Sequence, residues 1–263
     1  MPPPVDDVAF LVRSPNRVAV LKALADGPRS RDDLVDETPA SRVTIGRILH
    51  DFEVREWVER SGPAYEPTTR GRLLARELSA FLDRLRAIER LDPVLSSFAV
   101  DRLDVPLTAF GDATVTVPTQ AEPNRHHRRI GAAGERAEVA RMYAQGVTRE
   151  ASVIHRTAVS ERGQTLELVL TVDALTAARA DEALWDEVSG LVERSAFVGT
   201  VAEPLSVPFV GLFDGRCFIG VADERGVPTG VVESTSDDVV AWADRTLDDL
   251  VARATPVDDA REQ

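Results

Sequence analysis

The stretch ASRVTIGRILHDFEVREWVERSGPAYEPTT, residues 40–69, constrains the fold more than any other part of the chain. Ile45, Ile48, Leu49 and Phe52 recur at i, i+3, i+4 and i+7, one apolar stripe of a helix that Ser41 can cap. Arg42, Thr44, Arg47 and His50 then fall on other faces of that helix, most of them near its start. Two strand-like pieces follow, around Trp57-Val58-Glu59 and Tyr65-Glu66-Pro67, on either side of a Ser-Gly-Pro turn. A half-buried helix running straight into a short hairpin is a narrow structural choice.

The residues before and after it narrow the choice further. In SPNRVAVLKALADGP, Ser14 can cap, Pro15 suits a first helical turn, and Val18, Leu21 and Leu24 keep helical spacing until Gly27-Pro28. In SRDDLVDET, Ser30 is a second N-cap, and Asp32 and Asp33 favour the positive end of the helix dipole. Pro39 separates this helix from the third. Helix, helix, helix, hairpin is the order of a winged helix-turn-helix over residues 1–68. From Thr69 a long helix is predicted to residue 92, with Leu74, Leu78, Phe81, Leu85 and Ile88 spaced 4, 3, 4, 3, and Leu73, Leu82 and Leu91 widening the stripe. About 23 residues at roughly 1.5 Å each would reach about 35 Å. Such a seam predicts a homodimer, which suits two-fold DNA sites.

Pro93 closes the helix, and residues 93–257 read as an α/β domain with a mixed sheet, ahead of an acidic tail at 258–263. Short strands are expected around residues 105–110 and 114–118, and GERAEVARMYAQG reads as a helix ended by Gly146. QTLELVLTV is a strand pattern, after which Asp173 caps a helix reaching about residue 194. SAFVGTVAE is another strand, and Asp214-Gly215 is a strong two-residue hairpin signal. A final amphipathic helix starts at Ser236 or Asp237. The fold class expected for the whole chain is α+β.

Charge sharpens the functional question. The 263 residues carry a formal net charge of -13, and 30 of the 31 basic residues are Arg, Lys22 being the other. An acidic, Lys-poor composition resembles that of proteins from salt-accumulating halophilic archaea. Residues 1–92 hold 15 basic and 16 acidic side chains, whereas residues 93–263 hold 16 and 28. Within residues 40–76 the sign reverses, with seven Arg against five acids. No run of 18 apolar residues and no signal-peptide pattern appear, so a cytoplasmic protein without membrane attachment is expected. Cys217 is the single cysteine, and packing in a strand is favoured over redox sensing.

SRVTIGRILHDFEVREWVER follows the pattern S-R-x-T-x-x-R-x-L-x-x-L-E-x-R-x-x-V-E-R, with Phe52 at the last Leu position. On it, residues 14–92 resemble the winged helix-turn-helix of archaeal and bacterial transcriptional regulators. The resemblance implies double-stranded DNA as partner, with contacts from Ser41, Arg42, Thr44 and Arg47, from Arg60 and Ser61 at the wing, and from Ser30 and Arg31 on the preceding helix. Residues 95–257 resemble the sensing domain named for the methanogenesis regulatory protein Fil, through LELVLTVDAL, PFVGLFDGRCFIGVAD and VESTSDDVVAWADRTLDDLVARATPV. That resemblance implies a small-molecule effector or an assembly role. A scaffold whose winged helix binds protein is the alternative.

No Gly-rich phosphate loop, Ser-His-Asp order or zinc-finger spacing occurs, so no enzyme, metal site or cofactor is expected. NRHHRR, residues 124–129, has three readings. It is a solvated loop, or Arg125, His126, His127 and Arg128 receive an anionic effector before the helix at Glu135. A metal site is the poorest fit, because adjacent histidines do not readily share an ion and no Cys or third His lies near.

Overall fold

The computed structural model of the chain describes residues 4–193 and 196–257. It divides into two compact units, the first ending at Asp83 and the second beginning at Arg84. The acidic tail assigned to residues 258–263 lies outside the described residues.

The first unit contains α1 (Pro4–Val12), α2 (Pro15–Ala25), β1 (Arg29–Ser30), α3 (Arg31–Glu37), α4 (Arg42–Val54), β2 (Val58–Ser61) and β3 (Ala64–Pro67), and α5 (Thr69–Leu91) starts in it. The strands form a small antiparallel sheet in the order β1-β3-β2. This is the winged helix-turn-helix that the residue pattern predicts, with α1 as an addition. Ile45, Ile48, Leu49 and Phe52 are all buried, each stabilising the unit by roughly 1.5–3 kcal/mol. α1 contributes Phe10, whose ring meets Phe52 and Trp57 edge-on at 6.4 and 5.9 Å. The guanidinium groups of Arg17 and Arg55 lie over the same ring, 3.8 and 3.7 Å from its centroid.

Caps set the helix starts. Ser30 and Asp33 form a reciprocal capping box on α3, and Ser41 Oγ accepts from the Thr44 N–H at 3.3 Å on α4. Ser14 occupies the cap position of α2 but makes no side-chain bond there, so Pro15 alone marks that start. Gly71 lets α5 begin: a Cβ there would stand 1.9 Å from the Trp57 carbonyl oxygen.

The second unit is layered. An eight-stranded mixed sheet runs β11-β7-β6-β5-β8-β9-β10-β4. Its strands are β4 (Thr114–Thr116), β5 (Val139–Ala144), β6 (Thr165–Thr171), β7 (Phe197–Val201), β8 (Phe209–Phe213), β9 (Arg216–Ala222), β10 (Pro228–Ser234) and β11 (Thr255–Pro256). β5, β6 and β7 are mutually parallel and every other pairing is antiparallel. Alternation along the strands builds two cores. Tyr143, Val169, Val210 and Ile219 pack with Val239, Trp242, Ala243, Leu247 and Leu250 of α10 (Asp237–Arg253). Met142, Leu168, Leu170 and Phe218 pack on the other side with residues of α6 (Arg125–Arg136), α7 (Arg149–Arg162), α8 (Val172–Ala180) and α9 (Glu182–Val192). The Asp214-Gly215 turn joins β8 to β9 with both residues at positive φ, 47° and 77°, as a two-residue hairpin requires.

Several sequence expectations are corrected here. VARMYA is the strand β5, not the end of a helix: bonded on both edges by β6 and β8, its mostly buried residues carry no polar alternation. NRHHRR opens α6 rather than preceding a helix, so it is not a loop. Residues 107–110 form a 3-10 turn rather than a strand. Thr171, not Asp173, caps α8, its Oγ1 accepting from the Ala174 N–H at 3.2 Å. The single helix expected from there is two, because Asp181 ends α8 and caps α9, which stops at Val192; residue 194 lies outside the described residues.

α5 serves both units. Leu74, Ala75, Leu78 and Leu82 pack into the core of the first, and Ala87 and Leu91 into a core of the second.

Candidate functional site

α4 turns its apolar stripe inward, and so presents Arg42, Val43, Arg47 and His50 to solvent. Val43 is 66% exposed. Gly46 lies on the same side, with no atom within 4 Å of where its Cβ would stand. The helix surface here is a flat strip with a cation at each end and little side-chain bulk between. Ser41 Oγ and Thr44 Oγ1 are hydrogen-bonded to each other at 2.9 Å at the head of the strip.

The predicted contact residues separate by what already holds them. Arg47 is exposed and has no ion-pair partner among the described residues. Arg42 is paired with Asp32 of α3, both side chains being more than two-thirds exposed. Arg60 bonds the Gly62 carbonyl at 3.1 Å, and the turn residues from Ser61 to Pro63 are exposed. Ser30 is spent in its capping box, and Arg31 donates to the Tyr65 hydroxyl at 2.9 Å. The sequence reading missed Val43 and Gly46, although the same helical spacing that buries Ile45 turns both outward.

The predicted dimerisation seam divides in two. Leu78 is buried and Leu74 packs on the core of the first unit, because α5 must cover the winged helix it follows. Phe81, Leu85 and Ile88 are 50%, 38% and 40% exposed and form the outward stripe, with Leu73 exposed about two turns before Phe81.

The second unit holds a cavity of about 1040 Å³ on the face of the sheet carrying α6 and α7. Its wall is more apolar than polar, with Ile130, Met142, Ile154, Leu168, Leu170 and Phe209 among the lining residues. Three of the four histidines, His126, His127 and His155, line it too. His126 is 4% exposed, and both of its ring nitrogens are shielded from solvent without a hydrogen-bond partner among the described residues. The His127 ring lies against it, centroids 4.1 Å apart. Burial, and then the neighbouring His127, holds the His126 pKa below that of a free imidazole, so it is neutral near pH 7. Burial likewise lowers His155, against the effect of its bond to Gln164. Gln164 donates from Nε2 to the carbonyls of Gly134 and Ala137 at 2.8 Å each, leaving Oε1 to accept from His155 Nδ1 at 2.9 Å. That fixes the His155 proton on Nδ1 and leaves Nε2 as a lone-pair acceptor.

The basic cluster of α6 is less available to an anion than its sequence suggests. Arg125 and Arg128 both pair with Glu122. Arg129 and Arg216 converge on the buried Glu233 at 2.7 and 2.6 Å. Burial raises the Glu233 pKa, but the hydrogen bonds from the two arginines outweigh it and leave the carboxyl below its ordinary value. Cys217 is fully buried and its thiol is pushed up to about 12 by burial, which makes it an inert packing residue.

Two family models match the chain. Residues 5–90 match the HVO_A0261 N-terminal domain, and residues 123–253 match the middle domain of the methanogenesis regulatory protein FilR1. No curated protein matches in sequence. Among solved structures, the archaeal chromatin protein TrmBL2, described with a novel mode of DNA binding, is 14% identical over 96% of this chain and 99% of its own, with a TM-score of 0.45. Quinone-bound YodB from B. subtilis is 24% identical over 32% of this chain and 99% of its own, at 0.29. The phospholipase D family member Nuc from Salmonella typhimurium is 14% identical over 55% of this chain and 98% of its own, at 0.44.

Proposed function

We propose that the chain, similar over residues 5–90 to the HVO_A0261 N-terminal domain and over residues 123–253 to the FilR1 middle domain, is a transcription regulator of the archaeal winged helix-turn-helix type that binds operator DNA as a homodimer, and that its second unit senses a small-molecule effector. The observation that carries the DNA reading is the outward strip of α4, where Arg42, Val43, Gly46 and Arg47 leave a low, cationic surface on the helix that enters the major groove in this architecture. An arginine at the strip can pair with a guanine edge or a phosphate, and an exposed valine suits a thymine methyl. The hairpin turn at Arg60 and Ser61 would follow the adjacent backbone. Second copies would meet through Phe81, Leu85 and Ile88 of α5, which stay exposed after the helix has served its own cores.

The rival reading is a scaffold whose winged helix binds protein. Genome-wide occupancy of an Arg42→Ala, Arg47→Ala variant separates the two. Loss of occupancy with the fold retained supports the DNA reading; intact occupancy overturns it. The effector reading is supported by the cavity between the sheet and α6 and α7, and it assigns the second unit binding rather than catalysis.

A further inference from the structure

We propose that the cavity beneath α6 and α7 binds an uncharged, mainly apolar small molecule carrying a hydroxyl group, which His126 receives by hydrogen bond. The proposal rests on the regulator reading above only in calling that molecule an effector.

Size and wall chemistry set the first half of the inference. A cavity of about 1040 Å³ is at the upper end of small-molecule sites, and its wall is more apolar than polar, as such sites require. Charge sets the second. Glu135, Glu150 and Glu224 are exposed lining residues, so they stand where the cavity meets solvent, with Asp223 beside them. Arg128, the one Arg or Lys among the described lining residues, is already paired with Glu122. A carboxylate or phosphate ligand would enter past acids and find no free cation.

His126 supplies the specificity. A buried polar group without a partner is costly, and the great majority in folded proteins are satisfied. Both nitrogens of this ring are unpartnered while the ring lines a cavity wide enough for a ligand. A neutral imidazole has one donor and one acceptor, and a hydroxyl can answer either. The ring is shielded by His127, so the two must part for the ligand to reach it. His155 adds a second acceptor on the same wall, held in one tautomer by Gln164. Inward of the acidic mouth, the two histidines therefore accept and donate without carrying charge.

The test uses the full chain and Nile red, an uncharged dye that brightens in apolar surroundings, displaced by 1-decanol or by decanoate. The expected result is that the dye brightens on binding and that decanol displaces it about tenfold more strongly than decanoate, the scale of one ordinary hydrogen bond together with the acidic mouth. His126→Phe keeps ring shape and removes the nitrogens; it should retain dye binding and lose most of the decanol affinity. Ala144→Phe, which fills the cavity, should lose the dye, and if it fails to fold His126→Phe carries the test. A dye that stays dark, decanoate competing as well as decanol, or unchanged decanol affinity in His126→Phe overturns the proposal. Operator affinity measured without alcohol keeps the readings apart. A failed cavity leaves DNA binding in place, and failed DNA binding leaves the displacement result standing.

Discussion

Asp32 holds the side chain of Arg42 in the free protein, and any phosphate or base that Arg42 reaches must replace that carboxylate. Exposed ion pairs of this kind are worth about 0.2–1 kcal/mol. Asp32→Asn is therefore expected to raise operator affinity by about two- to fivefold, read by fluorescence anisotropy; a fall would mean that the pair orients Arg42 for DNA. Gly46 makes the opposite trade. Glycine inside a helix is less stable than alanine by roughly 0.5–1 kcal/mol, and open space surrounds this one. Gly46→Ala should raise the melting temperature while weakening operator binding, since the added methyl stands where the helix meets the groove. Affinity rising along with stability would place Gly46 away from DNA. In the second unit, Glu233→Gln removes the shared acceptor of Arg129 and Arg216 and should cost roughly 1–3 kcal/mol, because both arginines keep partial access to water. Since the folded pKa of Glu233 is depressed, its contribution is complete above the unfolded value of about 4.3 and disappears as pH falls through the folded value. The gap between wild type and variant in urea unfolding should thus close on the acid side. A gap that is constant with pH would assign the loss to packing.

At the scale of elements, α5 shows why a helical stripe in sequence is ambiguous. Leu74, Leu78, Phe81, Leu85 and Ile88 keep one spacing, yet the first two belong to the winged-helix core and the last three face out. Sequence spacing identifies a face without saying what covers it. The two sets predict different outcomes. Leu78→Ala should cost about 2–5 kcal/mol of stability. Phe81→Glu with Leu85→Glu should leave a folded chain whose mass by light scattering is half that of wild type; an unchanged mass would remove α5 as the dimer seam. The winged helix was legible because each of its parts carries a local signal: the Ser30 and Ser41 caps, the Ile45 to Phe52 stripe and the Ser-Gly-Pro turn. β5 was not, because a short, buried strand with parallel and antiparallel neighbours lacks polar alternation and reads as helix when it follows a helical segment. NRHHRR was misread for a related reason. Its two histidines and three arginines look solvated in sequence, but α6 turns His126 inward and Arg129 toward Glu233. The cavity lay beyond any local pattern, since its lining comes from residues between 97 and 230.

For the whole molecule, charge is the property that acts at a distance. The -13 of the chain falls mostly after residue 92, and the excess of Arg over acid around α4 and the wing is small. Binding to B-DNA normally loses affinity with a logarithmic slope of about -0.9 for each phosphate neutralised. A shallow slope is expected here, no more than about two or three phosphates' worth, with base and shape contacts supplying the remainder. Operator affinity titrated against KCl checks this, and a slope like that of strongly basic repressors would contradict it. The sharing of α5 has a different consequence. Leu82 and Ala87 lie five positions apart on one unbroken helix, yet they belong to different cores. A protease seeking the division between the units finds no loop to cut there, and a gene fusion made at that point has to carry one continuous helix across its junction. The two halves are thus not interchangeable cassettes: a new sensor acquired by such a regulator would have to bring its own continuation of the helix.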